Sequence, residues 1–318
     1  MKKLYYLLSG LTISLLPLME FPQTEISNGT VHAKLLLPGS ENSYYQGTRF
    51  DHSGAIESLE WNGHSYFGQW FRRYSPEIHD AIMGPVEEFT PLEYDSAKPG
   101  ENFVKIGVGV LTKPDDKAYS FARLYKVVNP GTWKVKSHKD KVLFTHDLKD
   151  EKYSYHYEKT VSLTKGKPEL VLTHTLKNTG KTTIETSAYD HNFFMIDKQP
   201  VGTGIQLVLP KEVTGQGTGF GERVQFQGNR IVYLRDLKSN ENASCYDIRG
   251  LGHGVEDYDF RIENMVTKAG VHITCDQPLE KLVFWSCSTT ACPEPYITLK
   301  AEPGKEIKWT IKYEFYTF

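Results

Sequence analysis

The sequence predicts an all-β protein built as one large antiparallel β-sandwich. Three observations carry this. Nearly every run after residue 25 alternates apolar and polar positions with the period of 2 that a half-buried strand requires. The runs are short and separated by turn residues, among them Pro38-Gly39, Asn62-Gly63, Lys165-Gly166-Lys167-Pro168 and Asn178-Thr179-Gly180. Sustained helical periodicity is absent, as are repeats, low-complexity tracts and a Gly/Ser- or Pro-rich linker.

The elements follow in order. TVHAKLLLP reads as a strand that stops at Pro38-Gly39. AIESLEWNGHSYFGQW alternates around Asn62-Gly63, a pair that favours a tight hairpin turn. NFVKIGVGVLTK, WKVKSHKDKVLFTHDL, the long run YSYHYEKTVSLTKGKPELVLTHTLKNTGKTTIETSAYDH and VHITCDQPLEKLVFWSC continue the pattern. EIKWTIKYEFYTF closes it as a clean period-2 strand. At 318 residues the chain exceeds the usual single domain, yet all-β folds often run past about 200 residues as one unit. A sandwich of well over a dozen strands is wide enough to carry a cleft across one sheet.

The N-terminus reads differently. MKKLYYLLSGLTISLLPLMEF places two lysines before an apolar run from Leu4 to about Met19, interrupted by Gly10 and Pro17. The run is shorter than the roughly 20 residues that span a bilayer, and fits a secretory signal peptide over residues 1–22, with residues 23–318 as the domain. The expected location is therefore periplasmic or secreted. No second long apolar segment follows, so no stable membrane span is expected.

Net charge is −2, from 37 basic and 39 acidic residues, which gives no basic field for nucleic acid. The 19 Tyr and 16 Phe suit strand surfaces and carbohydrate-facing clefts. Four cysteines, Cys245, Cys275, Cys287 and Cys292, allow disulfides in an exported protein but fit no zinc spacing, and neither metal nor cofactor is expected.

Three features concentrate chemistry. His191 stands in SAYDHNFFMID, among strand formers, where its imidazole is either tied up in the core or exchanges protons at the floor of a pocket. Glu294 stands between Pro293 and Pro295, which fix its position as a loop carboxylate of ordinary kind would not be fixed. GTRFDHSGAI and HDAIMGPVEEF supply Arg49, Asp51, His52, His79, Asp80, Glu87 and Glu88 in a Gly-rich, apolar setting that suggests a polar pocket. A histidine and a carboxylate together suit a reaction that needs one acid, one base and no cofactor.

The order of these features resembles the galactose mutarotase-like superfamily and, within it, the aldose 1-epimerases, over roughly residues 30–318. SGAIESLEWNG is similar to the family's early Gly-Ala hairpin. The long strand run ends at Asp190-His191-Asn192-Phe193-Phe194, which resembles the family's Asn-His-x-Tyr-Phe-Asn motif. Cys292-Pro293-Glu294-Pro295 resembles the late Cys-x-Glu-Pro, and AEPGKEIKWTIKYEF the closing Pro-Gly turn and last strand. The resemblance implies a mutarotase-like supersandwich, a carbohydrate ligand, His191 as general acid on the sugar ring oxygen and Glu294 as general base on the anomeric hydroxyl. The expected sugar contacts are Arg49, His79, Glu87, Glu88 and Asn192, with Glu87 or Glu88, or His79 from upstream, taking over contacts where the chain departs from the family. Two departures stand beside it: the family's second histidine is missing where this chain reads MGPVEEF and NFVKIGVGVL, and the sugar-binding aspartate has no clear counterpart.

The resemblance puts His191 on an inner sheet face, facing Glu294 across about one sugar ring. Mutual attraction would then favour a charged pair, with the Glu294 pKa lowered and the His191 pKa raised. Two other readings remain: a non-catalytic sugar-binding protein on the same fold, and a lyase or hydrolase, the hydrolase needing two carboxylates such as Glu294 and Glu88.

Overall fold

Side-chain alternation sets the strands almost residue by residue. In YHYEKTVSL (Tyr155–Leu163) every odd position is buried and every even one half-buried, so one face of the strand packs and the other meets water. The last strand, Glu306–Thr317, buries Trp309, Ile311, Tyr313 and Phe315 from one face in the same way. The computed structural model describes residues 21–318; the expected signal segment lies, but for its last two positions, outside the described residues.

The strands in chain order are β1 (Gln23–Ser27), β2 (Val31–Leu36), β3 (Ile56–Trp61), β4 (His64–Ser65), β5 (Gly84–Phe89), β6 (Asn102–Lys105), β7 (Gly109–Thr112), β8 (Lys126–Asn129), β9 (Thr132–Ser137), β10 (Lys141–Leu148) and β11 (Tyr155–Leu163). They continue as β12 (Glu169–Asn178), β13 (Ile184–Phe193), β14 (Ile205–Val208), β15 (Val224–Gln227), β16 (Arg230–Tyr233), β17 (Asn242–Cys245), β18 (Asp259–Asn264), β19 (Ala269–Cys275), β20 (Lys281–Cys287), β21 (Ala291–Ala301) and β22 (Glu306–Thr317). Apart from short 3-10 turns at Ile196–Lys198 and Val255–Asp257, the described residues contain no helix.

Two sheets form the sandwich. The larger has ten strands in the order β15-β16-β14-β18-β19-β22-β12-β11-β10-β9, the smaller five in the order β17-β20-β21-β13-β5. Two further sheets, β1-β2-β3-β4 and β6-β7-β8, flank them. Every pairing between named strands is antiparallel. Leu172, Leu176, Trp309 and Ile311 of the large sheet share one core with Ala188, Phe284, Ile297 and Leu299 of the small one. The Asn62-Gly63 turn joins β3 to β4 with φ of 51° and 81°, the double left-handed conformation that a two-residue hairpin of this type needs. The four cysteines are all free thiols.

A polar cluster crosses this core. Glu87 of β5 accepts a hydrogen bond from Lys159 of β11 and lies 2.7 Å from Nε2 of His174 on β12. All three are almost completely buried. Asp51 joins them through its N–H, which donates to Glu87 O at 2.8 Å, and through Ser53, whose Oγ donates to the Asp51 carboxylate at 2.6 Å and whose carbonyl oxygen accepts from Lys159 at 3.3 Å; Tyr157 also donates to the Asp51 carboxylate, at 3.0 Å. Two glycines make room. Gly107 (φ 75°) brings backbone against the Asp51 carboxylate, and a Cβ on Gly54 (φ 76°) would meet Lys159 Nζ at 2.8 Å. Burial works against the charge on Glu87, but Lys159 and His174 outweigh it and hold the carboxyl at about 2.

A buried cation that neutralises carboxylates cannot be removed cheaply, because the partners stay behind uncompensated. Lys159→Met is therefore expected to cost about 3–5 kcal/mol in chemical denaturation at pH 7. A loss under about 1 kcal/mol would mean that water or rearrangement replaces the ammonium.

Candidate functional site

Strand parity sorts the neighbouring residues of the two motifs onto opposite faces. On β13, Asp190 and Asn192 point into the sandwich, where both bond to the Tyr313 hydroxyl of β22, at 2.7 and 2.9 Å. Tyr189, His191 and Phe193 therefore point the other way, out of the small sheet. On β5 the same alternation sends Glu87 inward and Glu88 outward, and Glu88 stands directly opposite Tyr189 in the register. On β21, Tyr296 pairs with Tyr189, which puts Glu294 on the face of His191. The candidate site is this outer face of the small sheet, not the inner face expected from sequence. Segments around residues 44–50, 70–83 and 119–125 cover it and account for its burial.

Glu294 does not sit in a loop. Its strand runs through Pro293 and Pro295, and pairs continuously with β20 at Leu282↔Pro295 and Phe284↔Pro293. Toward β13 the ladder stops at Tyr189↔Tyr296 and resumes only as a bridge at Phe194↔Ala291. The two prolines have no N–H to offer on that side, so the ladder opens where they stand. Asn192 Nδ2 fills part of the gap by donating to Pro293 O at 2.9 Å. His191 and Glu294 flank the same interruption, with Nε2 and Oε1 3.3 Å apart.

Around them lies a cavity of about 250 Å³. Its floor is His191, Glu294, Tyr189 and Tyr296, and its walls include Arg49, Glu88, Trp285 and Phe121. Phe193 stacks under the imidazole at 4.0 Å, and Phe50 meets it edge-on at 5.6 Å. Arg49 organises the wall. Its Nε donates to Glu88 at 2.7 Å, Nη2 to the Tyr189 hydroxyl at 3.0 Å, and Nη1 to Asp80. Tyr189 donates in turn to Glu88 at 2.6 Å, and Lys105 caps the other Glu88 oxygen at 3.0 Å. Burial opposes the charge on Glu88, but Lys105 and Arg49 prevail and hold it at about 2.

The His191–Glu294 pair behaves in the opposite way. Burial lowers the His191 pKa well below its ordinary 6.5, and Arg49 adds to the effect. Burial raises Glu294 to about 8; Arg49 opposes this, while Glu88 and Asp80 reinforce it. The charged pair expected from sequence is thus replaced at neutral pH by a carboxylic acid beside a neutral imidazole. Removing water costs each charge more than the 3.3 Å contact returns. The expected spacing of one sugar ring is also replaced, since the two groups touch.

The other sequence-derived candidates divide. Arg49 and Glu88 line the cavity. His79 stands at its margin, half-buried, 3.1 Å from Asp80 and beside Phe121. Glu87 and Asn192 are not in the cavity: strand parity turns both into the sandwich, where they hold Lys159, His174 and Tyr313. Sequence reasoning did not single out Tyr189, Lys105, Trp285, Tyr296 or Phe121. Tyr189 was the accessible one, two positions from His191 and so on its face. Among the described residues no group of three or more His, Cys, Asp or Glu side chains is arranged to hold a metal ion, and no helix is long and apolar enough to cross a membrane.

This antiparallel sandwich, with its ten-stranded and five-stranded sheets, has the fold of the galactose mutarotase-like proteins. The chain is similar over 99% of its length to the whole of the Slr1438 protein from Synechocystis sp. PCC 6803, at 12% identity and a TM-score of 0.57. It is similar over 93% to 97% of the galactose mutarotase related enzyme from Lactobacillus acidophilus (12% identity, TM-score 0.56). It is similar over 93%, too, to 98% of the GalM/aldose epimerase homologue from C. elegans (11% identity, TM-score 0.53). No protein-family model and no curated protein matches the sequence.

Because the Arg49 cation disfavours protonated His191 and favours ionised Glu294, Arg49→Met is expected to raise both pKa values. NMR titration of the His191 ring and the Glu294 carboxyl checks this. An unchanged His191 would show that burial alone sets its protonation.

Proposed function

We propose that this chain is a carbohydrate-active protein that interconverts sugar anomers by acid–base chemistry of the aldose 1-epimerase type, with His191 and Glu294 as the proton-transfer pair. The single observation that carries the reading is their 3.3 Å contact on the floor of a small, aromatic-walled cavity. The anomeric hydroxyl and the ring oxygen are bonded to the same carbon, so two groups in contact can reach both.

In the resting pair burial leaves the proton on Glu294. Ring opening then passes the anomeric hydroxyl proton to His191 Nε2 and the Glu294 proton to the ring oxygen as the carbon–ring-oxygen bond breaks. Rotation about C1–C2 of the open-chain aldehyde presents its other face. Reclosure returns both protons, so each residue acts once as acid and once as base. The resemblance assigned one role to each; the protonation of the buried pair begins the cycle from the reverse assignment. Arg49 and Glu88 are positioning groups that hold Tyr189 and the wall in place. The hydrolase reading is disfavoured, because the cavity's other carboxylates are engaged: Glu88 is bonded to Arg49, Tyr189 and Lys105, and Asp80 is paired with Arg49 and His79. A binding-only reading draws support from the near-complete burial of His191 and Glu294, 3% and 5% exposed. The lysine-led apolar run Leu4–Met19 supports export to the periplasm or beyond.

The test is anomer exchange followed by NMR across a panel of aldoses and oligosaccharides. Glu294→Gln and His191→Asn are each expected to lose about 10²–10⁴-fold in kcat while keeping the fold. The pair carries one proton between the depressed His191 pKa and about 8, so the rate should hold through neutrality and fall as Glu294 ionises above about pH 8. Full activity in Glu294→Gln would exclude this mechanism. Sugar binding without exchange would favour the binding-only reading.

A further inference from the structure

The polar groups inside the cavity spend most of their hydrogen bonds on one another. Arg49 is committed to Glu88, Asp80 and Tyr189, and Glu88 to Arg49, Tyr189 and Lys105. A free monosaccharide is recognised chiefly by its hydroxyls, and here it meets few open partners. At about 250 Å³ the cavity is also smaller than most ligand sites, for which roughly 300–1,000 Å³ is usual. It has room for one ring and little beyond.

The mouth is built otherwise. Phe121 and Tyr246 both line it, yet they are 45% and 67% exposed. Tyr246 follows β17, one edge of the five-stranded sheet. Phe121 lies 4.2 Å from the Arg49 guanidinium, which is bonded to Glu88 on β5, the opposite edge. The two rings therefore stand on either side of the opening, with the half-buried rings of Trp285 and Tyr296 between them. Large aromatic side chains left in water at the rim of a concave site mark a surface that gains by being covered. The apolar C–H faces of a sugar ring are suited to cover them.

We propose that Phe121 and Tyr246 form a second sugar subsite at the pocket mouth, and that the preferred ligand is the end of an oligosaccharide rather than a free monosaccharide. This rests on reading the cavity as a sugar site. The terminal ring enters the cavity over His191 and Glu294, and the next ring or two stack on the rim. Affinity then comes from the platform, while the interior is reserved for proton transfer.

The experiment is calorimetric titration of the full chain with glucose and galactose, and with α-1,4- and β-1,4-linked tetrasaccharides. At least one tetrasaccharide is expected to bind about 10-fold or more tightly than its monosaccharide. Tyr246→Ala and Phe121→Ala should each shrink that ratio by roughly 3- to 10-fold, and Tyr246→Phe should keep it. Thermal melting checks that the variants fold. Monosaccharide and tetrasaccharide binding within twofold of each other, or a ratio unmoved in Tyr246→Ala, overturns the subsite while leaving the sugar site standing. Binding of no sugar of either length overturns both.

Discussion

Two adjacent buried carboxylates on one strand hold this structure together. Glu87 and Glu88 of β5 face opposite ways, and neither is left to water. Lys159 and His174 of the large sheet meet Glu87 from inside the sandwich; Arg49 and Lys105 meet Glu88 from the pocket side. A one-residue slip of β5 would put each carboxylate among the wrong partners, so the two charges specify the register of the edge strand. They also fix the Arg49 segment over the small sheet, and so make the pocket wall.

The pocket floor follows a different logic. Pro293 and Pro295 open the ladder between β13 and β21, and the gap receives His191 and Glu294 from its two sides. Covering segments exclude water from both. No cation is bonded directly to either group, unlike Glu88, so burial decides their protonation and the neutral forms prevail. The same sheet face thus carries a carboxyl held at about 2 and another raised to about 8. Carboxyls driven apart in this way take different roles, one structural and one able to exchange a proton near neutrality.

This arrangement bears on the two departures from the mutarotase pattern. Among the described residues no second histidine lines the cavity; His79 stays at the margin on Asp80. The wall is instead an internally saturated ion-pair network, which positions Tyr189 but offers little to a ligand.

Much of the fold was legible in the sequence, because period-2 alternation is a local property and each strand displays its own. The Asn62-Gly63 hairpin, the long β10–β13 run and the closing strand β22 could be read from residues alone. So could the presence of His191, Glu294, Arg49 and Glu88 as chemically able groups, and the resemblance brought the first two together. The sequence could not tell which face of a strand would be the pocket. Parity says that Glu87 and Glu88 part company, as do His191 and Asn192, but only the packing of β12 and β22 against β13 shows which member goes inward. Nor could it give the protonation of the pair. Attraction between neighbours is easily imagined from residue names, whereas the loss of water that reverses it here depends on covering segments from residues 44 to 125, brought over the sheet only by the tertiary fold.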